Sequence, residues 1–285
     1  MAHPNSVLSE PLVFEPWEDF VKSRYKPGKT EDEFRKHDDE APLVVREFYR
    51  QNHTHQTRAF VQAKKRQFGG LNHARMGVWE AMEFLNTLVD DSDPDTDLSQ
   101  IHHLVQTAEA CRRDGRPEWF ILTGLLHDIG KILCLWGEPQ WAVVGDTFVT
   151  GCAWPESIVY HQYFDANPDR EIAGYQTKLG AYTEGCGLDA VDLSWGHDEY
   201  MSIVCKPYLP MESLYMLRYH SFYPWHQEGA YDYLCNAQDR QMLHWLNEFN
   251  QYDLYSKGHE KPDVDTLRPY YEGLIAKYFP TQINW

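Results

Sequence analysis

Basic residues are scarce in this chain of 285 residues. It has 26 Lys and Arg but 43 Asp and Glu, which gives a formal net charge of -17. A broad surface for nucleic acid or for an anionic membrane needs a basic footprint. The composition therefore argues against both as partners. A few local Lys and Arg side chains could still bind a small polar or anionic molecule, so the charge restricts the partners and not the fold.

Paired cysteine motifs are also missing. The six cysteines include no C-x-x-C pair, and the N-terminus has no apolar signal segment. Free thiols in a reducing compartment are the simplest interpretation, and a zinc–cysteine site is not expected. No apolar run is expected to reach the roughly 20 residues of a membrane helix, so we predict a cytoplasmic protein. The cysteines are Cys111, Cys134, Cys152, Cys186, Cys205 and Cys235.

Strand-like alternation is rare, and helical periodicity dominates beyond residue 30. Residues 1–30 carry four prolines and no sustained periodicity, which predicts an extended arm followed by one helical domain at 31–285. The best strand candidate is Trp141–Val149, with a loop as the alternative. The all-α prediction places helices at Val44–Tyr49, Met76–Leu88, Ile101–Arg113, Glu118–Trp136, Glu171–Leu179, Asp198–Cys205, Glu212–Tyr219, Asp239–Asn250 and Leu267–Tyr278.

The segment Glu118–Trp136 is apolar nearly all round, which is typical of a helix buried at the centre of its domain. It contains the doublet His127-Asp128, and a buried carboxylate is costly unless it is paired or bound to metal. A hydrogen-bonded His–Asp pair is one interpretation. The other is a metal site, in which the two oxygens of Asp128 could bridge two ions. Lys131 follows His127 by four residues and is predicted to share its helix face.

Other segments supply further imidazole and carboxylate groups, although a single His among aromatic residues is more often structural. Spacing alone cannot bring these segments into one site. Ligands of this kind, without thiolate, suit iron, manganese or zinc. The additional candidates are His102, His103, His197, His220 and Asp253.

Several longer strings occur in a fixed order along the chain: His53–Thr57, Ser92–Asp95, Gln106–Glu109, Gly124–Asp128, Leu135–Phe148, Ser194–Tyr200, His220–His226 and Leu267–Tyr271. With this ordered set the chain resembles the myo-inositol oxygenases, a family of the HD-domain superfamily. The resemblance extends from about Phe34 to Trp285. It implies a single compact helical HD domain with a few short irregular or β segments.

The resemblance also implies a site with two irons. It prefers His103 to His102, because His103 lies three residues before the Gln106–Glu109 string, and it leaves Asp198 outside the ligand set. Asp128 would bridge the irons, with His103, His127 and Asp253 on the iron that binds substrate and the other two histidines on its neighbour. The implied ligands are His103, His127, Asp128, His197, His220 and Asp253.

The same resemblance implies how a polyol would bind, since each hydroxyl must recover the hydrogen bonds that it loses with water. Asp128 and Lys131 would be the catalytic residues. His53 and His55 are assigned to structure. The implied substrate contacts are Lys131, Gly145 through its backbone, Asp146, Ser221 and Lys257, with Arg35, Tyr49, Asp90 and Asp93 in a lid or outer shell.

The implied reaction is the cleavage of myo-inositol by dioxygen between ring carbons 1 and 6. It is a four-electron oxidation to D-glucuronate and water, the first step of inositol catabolism, and it uses a mixed-valent iron(II)/iron(III) pair. Myo-inositol and dioxygen would be the two substrates, and the protein would be a monomer. Two alternatives are a metal-dependent phosphohydrolase, the commoner activity among HD-domain proteins, and an inactive metabolite-binding or scaffold protein.

Overall fold

A computed structural model of the chain describes residues 43–88, 99–255 and 262–285. The predicted arm at 1–30 and the acidic stretch Asp90–Asp97 lie outside these ranges. The division into an arm and one domain therefore stays a prediction.

Helices dominate the described residues, so the predicted all-α class is confirmed. Most predicted helices are present with their ends moved by a few residues. The α-helices are α1 Leu43–His55, α2 Arg58–Phe68, α3 Val78–Leu85, α4 Gln100–Arg113, α5 Glu118–Leu126, α6 His197–Cys205, α7 Met211–Tyr219, α8 Tyr223–His226, α9 Ala237–Tyr255 and α10 Val264–Tyr278.

Short elements connect these helices. Strands β1 (Arg75–Met76) and β2 (Ile283–Asn284) form an antiparallel pair, with Met76 opposite Ile283. The indole of Trp285 donates a hydrogen bond to the Met76 carbonyl at 3.1 Å, which ties the end of the chain to this pair. The 3₁₀ helices are Asn86–Leu88, Ile129–Trp136, Gln140–Ala142, His161–Ala166, Pro168–Glu171, Ala173–Tyr175, Leu188–Ala190 and Asp232–Leu234.

One predicted helix is wrong, two helices were missed, and the choice between strand and loop at Trp141–Val149 is settled. The predicted helix at Glu171–Leu179 is a pair of 3₁₀ turns, because these residues are mostly exposed and offer no apolar stripe to bury. At Trp141–Val149 the loop alternative is correct, since the segment leaves the 3₁₀ helix Gln140–Ala142 as a loop and makes a β-bridge at Val149. The missed helices are α2, whose first turn is capped by the Thr57 hydroxyl, and the four-residue α8.

The apolar segment Glu118–Trp136 is buried as predicted, but it is not one regular helix. The α-helix ends at Leu126, and a 3₁₀ helix begins at Ile129, so His127 and Asp128 lie at the change of helix type. A 3₁₀ helix has three residues per turn. Lys131 therefore faces Asp128. The sequence had predicted that it would share the helix face of His127.

By length and composition the same segment could cross a membrane, so the expectation that no apolar run approaches that length was wrong here. Within the fold, however, 83% of the segment is buried inside the protein. The central helix of a packed domain passes the same test, and we infer no membrane span from it.

The helices around this segment hold it from several sides. The α5 helix packs against α4 and α7, the Ile129–Trp136 helix packs against α3 and α6, and α9 packs against α4 and α7. Their inner faces form the largest apolar cluster of the described residues, in which Leu104, Leu125 and Met216 are fully buried. Buried polar groups at the centre of this cluster are therefore held in fixed positions.

Gly130 permits the closest of these approaches. A Cβ atom at position 130 would lie only 2.1 Å from the His197 carbonyl oxygen. Only a residue without a side chain allows the two backbones to approach this closely. Gly130 thereby brings the segment of Asp128 against the first residue of α6.

We expect Gly130→Ala to destabilise the protein by about 1–3 kcal/mol, the usual cost of overpacking a filled interior. The matched control is Gly273→Ala in α10, where an added Cβ meets nothing within 4 Å. The control should gain roughly 0.5–1 kcal/mol, because alanine loses less backbone entropy in a helix. Denaturant unfolding measures both changes, and a Gly130→Ala protein as stable as the wild type would contradict the close approach.

Candidate metal centre

The six predicted ligands come from five separate elements, and the fold brings all of them together in its interior. One lies on α4, an adjacent pair lies at the α5–3₁₀ junction, one begins α6, one follows α7 and one lies near the end of α9. In that order they are His103, His127, Asp128, His197, His220 and Asp253, and all six are buried.

The first group consists of His103, His127 and Asp253, whose ligand atoms lie within 4.8 Å of one another. His127 Nε2 is 3.2 Å from Asp253 Oδ1, and His103 Nε2 is 3.7 Å from the same oxygen. The group thus presents two imidazoles and one carboxylate to a single point.

The second group consists of Asp128, His197 and His220. Asp128 Oδ1 is 3.2 Å from His197 Nε2 and 3.8 Å from His220 Nε2. Its other oxygen, Oδ2, lies 3.3 Å from His127 Nε2 and 3.4 Å from His103 Nε2 in the first group. Asp128 therefore presents one carboxylate oxygen to each group.

Backbone carbonyls fix the proton positions on three of the four imidazoles. The Nδ1 atoms of His127, His197 and His220 donate hydrogen bonds to the carbonyls of Gly124, Val143 and Leu217, at 2.8 to 2.9 Å. A neutral imidazole that donates through Nδ1 has a lone pair on Nε2. These rings are therefore oriented as metal ligands usually are, with the second nitrogen held from behind.

The two histidines of the second group show why this site calls for a cation. Their Nε2 atoms are 3.0 Å apart, so two lone pairs face each other at hydrogen-bond distance. His127 Nε2 is buried, makes no well-aligned hydrogen bond, and faces the carboxylate oxygens of Asp128 and Asp253. Imidazole and carboxylate donors without thiolate fit iron, manganese or zinc, and the two groups fit a pair of such ions.

The electrostatics of the site also indicate that it attracts a cation. Burial opposes ionisation of Asp128, but Lys131 and the neighbouring imidazoles hold the pKa of its carboxyl well below its usual range. Burial likewise disfavours a charged His127, yet the carboxylates of Asp128 and Asp253 raise its pKa to about 10. Carboxylates that attract a proton to this imidazole also attract a metal ion, which would replace the proton.

The structure shows which of the neighbouring His and Asp residues belong to the two groups. His103 belongs to the first group, whereas the Nδ1 atom of His102 forms a 2.7 Å hydrogen bond with the Ser99 hydroxyl. Asp198 is buried but belongs to neither group, and its Oδ1 accepts a hydrogen bond from the Glu199 amide. Both positions agree with the ligand set that the family resemblance implied.

Lys131 lies against the shared carboxylate. Its Nζ donates to Asp128 Oδ2 at 2.8 Å, and its side chain is 2% exposed. A buried ammonium at this point places positive charge beside the centre without occupying a ligand position.

The predicted substrate residues Gly145, Asp146 and Ser221 are buried beside the second group. The Val143 carbonyl accepts hydrogen bonds from both the amide and the ring of His197, and the Thr147 amide donates to the Ser221 carbonyl at 2.9 Å. The segment from Val143 to Thr147 therefore runs from His197 to Ser221, the residue that follows His220.

Gly145 shapes this segment. It has a φ of +104°, and an added Cβ would lie 2.8 Å from the Phe48 ring. The positive φ favours glycine, and a side chain at this position would also have to displace the Phe48 ring. The next residue, Asp146, accepts a 3.3 Å hydrogen bond from the Tyr49 hydroxyl, so α1 contacts one of the predicted substrate residues.

Four other predicted residues, Arg35, Asp90, Asp93 and Lys257, lie outside the described residues. His53 fits its structural assignment, since it stacks on Phe164 and forms a 2.7 Å contact with the Val159 carbonyl. Sequence reasoning missed the carbonyls that orient the imidazoles. No residue type could have indicated them, because every residue carries a carbonyl.

Comparisons with known proteins relate this chain to one defined family. The family model described as Myo-inositol oxygenase matches residues 43–285, a range that contains all six candidate ligands. An inositol oxygenase of Dictyostelium discoideum is 46% identical over 275 residues, covering 93% of this chain and 94% of that protein. The Homo sapiens inositol oxygenase is 53% identical over 252 residues, covering 86% and 88%. Inositol oxygenase 2 of Arabidopsis thaliana is 53% identical over 248 residues, covering 85% and 78%.

We expect Asp128→Asn to lose paired metal binding, because the amide has no charge and only one oxygen to offer. The control is Asp198→Asn, which alters a neighbouring buried carboxylate outside both groups and should keep two ions per chain. Elemental analysis after anaerobic loading with iron(II) measures the ratio. Two ions per chain in the Asp128→Asn protein would exclude a shared carboxylate.

Proposed function

The chain belongs to the myo-inositol oxygenase family, and on that premise we propose that this enzyme cleaves myo-inositol with dioxygen between ring carbons 1 and 6. The products are D-glucuronate and water, and the reaction is the first step of inositol catabolism. Both oxygen atoms of dioxygen are accounted for, one gained by the sugar acid and one lost as water. Four electrons pass from the ring to dioxygen, so no added reductant is needed.

The observation that carries this proposal is the position of the Asp128 carboxylate, with one oxygen facing each of two ligand groups. A reaction that moves four electrons benefits from two redox-active metals held at one point. The two groups supply protein ligands for such a pair, within what we take to be an HD domain.

We propose that the pair is iron, in the mixed-valent iron(II)/iron(III) state when active. His103, His127 and Asp253 would hold one ion, His197 and His220 the other, and Asp128 both. Bound iron would supply Lewis acidity toward the inositol hydroxyls and the redox chemistry that activates dioxygen.

We place the polyol beside His197 and His220. Ser221 directly follows His220, and its carbonyl accepts a hydrogen bond from the Thr147 amide, next to Asp146. The Val143 carbonyl, two residues before Gly145, accepts from the amide and the ring of His197. Counting Asp128 in both sets, this side has three protein ligands and the other has four, so it leaves more room for substrate oxygens. The family resemblance had suggested the opposite side, and the contacts of the described residues favour this one.

The residues around the polyol have distinct tasks in this proposal. Asp146 accepts hydrogen bonds from hydroxyls, Ser221 accepts or donates, and the Lys131 ammonium stabilises negative charge on a hydroxyl that loses its proton. All three are at most 3% exposed. A buried polar group of the site or of the ligand that is left without a hydrogen bond would therefore cost free energy. The site thus favours a ligand whose several hydroxyls are arranged to pair with these three side chains.

We also propose that the enzyme is a cytoplasmic monomer. All six cysteines are unpaired, which is usual in a reducing compartment. The net charge of -17 supports a small-molecule enzyme rather than a protein that binds nucleic acid.

Oxygen uptake by the iron(II)-loaded protein tests the proposed function. We expect uptake that depends on myo-inositol, with one glucuronate formed per dioxygen consumed. Iron-loaded protein without inositol-dependent uptake would refute the proposal. Release of phosphate from nucleotides or inositol phosphates would instead support the phosphohydrolase alternative.

Lys131→Met should keep both metals and lose turnover, because it removes the charge and not a ligand. Loss of a preorganised electrostatic group in a buried site typically lowers kcat by about 100-fold or more. Lys277→Met on the outer face of α10 is the matched control and should retain full activity, since Lys277 is paired with Glu118 at the surface. If Lys131→Met loses metal together with activity, its assignment to substrate chemistry is wrong.

A further inference from the structure

His226 is a buried imidazole that the proposed chemistry does not use. It is the last residue of α8 and ends the string His220–His226. Its Nε2 donates a hydrogen bond to the backbone carbonyl of His220 at 3.1 Å. Carbonyls at the end of a helix have no partner within that helix, and His220 directly follows α7. His226 therefore satisfies a backbone group of a metal-ligand candidate.

The other ring nitrogen of His226 is held from α9. Asn250 Nδ2 donates to His226 Nδ1 at 2.9 Å, and Gln227 Nε2 donates to the same atom at 3.2 Å. A neutral imidazole that donates through Nε2 accepts through Nδ1. Both amide contacts thus agree with the direction of the hydrogen bond to His220.

This arrangement links the two ligand groups behind the metal centre. Asn250 lies three residues before Asp253 on α9, so both residues are on the same side of the helix. The hydrogen bonds run from His220, which belongs to the second group, through His226 to the helix that carries Asp253 of the first group. The Phe249 ring on the same helix also lies 5.7 Å from the His127 ring and 6.4 Å from the His220 ring.

We propose that His226 is a positioning residue that holds His220 at the distance from Asp253 that allows Asp128 to reach both groups. The inference rests on the proposed function, since it takes His220 and Asp253 as ligands. Residues that orient metal ligands typically change metal affinity by about 10- to 100-fold when they are replaced. His226 differs from most of these, because it holds the backbone of the ligand and not its ring.

Two substitutions at position 226 separate positioning from simple filling of space. The amide nitrogen of glutamine can take the place of Nε2 and donate to the His220 carbonyl, whereas that of asparagine lies nearer to Nδ1. We therefore expect His226→Gln to bind two iron(II) ions nearly as the wild type does. His226→Asn should bind the second ion at least about tenfold more weakly.

The measurement is anaerobic equilibrium dialysis of the full-length protein against iron(II), with the melting temperature of each metal-free protein recorded beside it. Equal loss of the second ion in both variants would show that His226 only fills space, and no loss in either would show that its hydrogen bond is dispensable. Either result overturns the inference. A wild-type chain that binds fewer than two ions would instead count against the proposed function itself.

Asn250→Leu provides a second test that leaves His226 in place, in case His226→Asn does not fold. It removes the main donor to Nδ1, and we expect weaker binding of the second ion. Asn247→Leu on the exposed face of the same helix is the matched control and should bind iron as the wild type does. Unchanged binding by Asn250→Leu would overturn the link between α9 and His220.

Discussion

The structure depends on a buried carboxylate, that of Asp128, which faces two groups of imidazole and carboxylate ligands at once. Burying such an anion is costly unless positive charge and hydrogen bonds compensate it. Lys131 supplies one cation, and two metal ions would supply the rest. The same arrangement that offsets the electrostatic cost also forms the candidate metal centre.

The surrounding architecture serves to hold that carboxylate in place. The change from α-helix to 3₁₀ helix at His127 and Asp128 directs these two side chains toward the other four candidate ligands. Gly130 lets the backbone of this segment touch that of His197. Backbone carbonyls then orient the imidazoles from behind, so that the Nε2 atoms converge. None of these features adds a ligand, yet each one sets the position of a ligand.

The sequence predicted which residues come together better than it predicted their local geometry. Helical periodicity identified most helices, and the ordered motifs named six candidate ligands that the fold brings together. Periodicity failed at Glu171–Leu179, where exposed residues have nothing to pack against, and it placed Lys131 on the face of His127 because it assumed a regular α-helix. The role proposed for His226 was equally invisible, since its partner is the backbone carbonyl of His220 and every residue carries a carbonyl.

Anomalous diffraction at the iron edge, from crystals of the iron-loaded protein, would locate each ion relative to the Asp128 carboxylate. We expect two anomalous peaks, one beside His103, His127 and Asp253 and one beside His197 and His220, with an oxygen of Asp128 bound to each. A single peak, or two peaks of which only one contacts Asp128, would contradict this expectation.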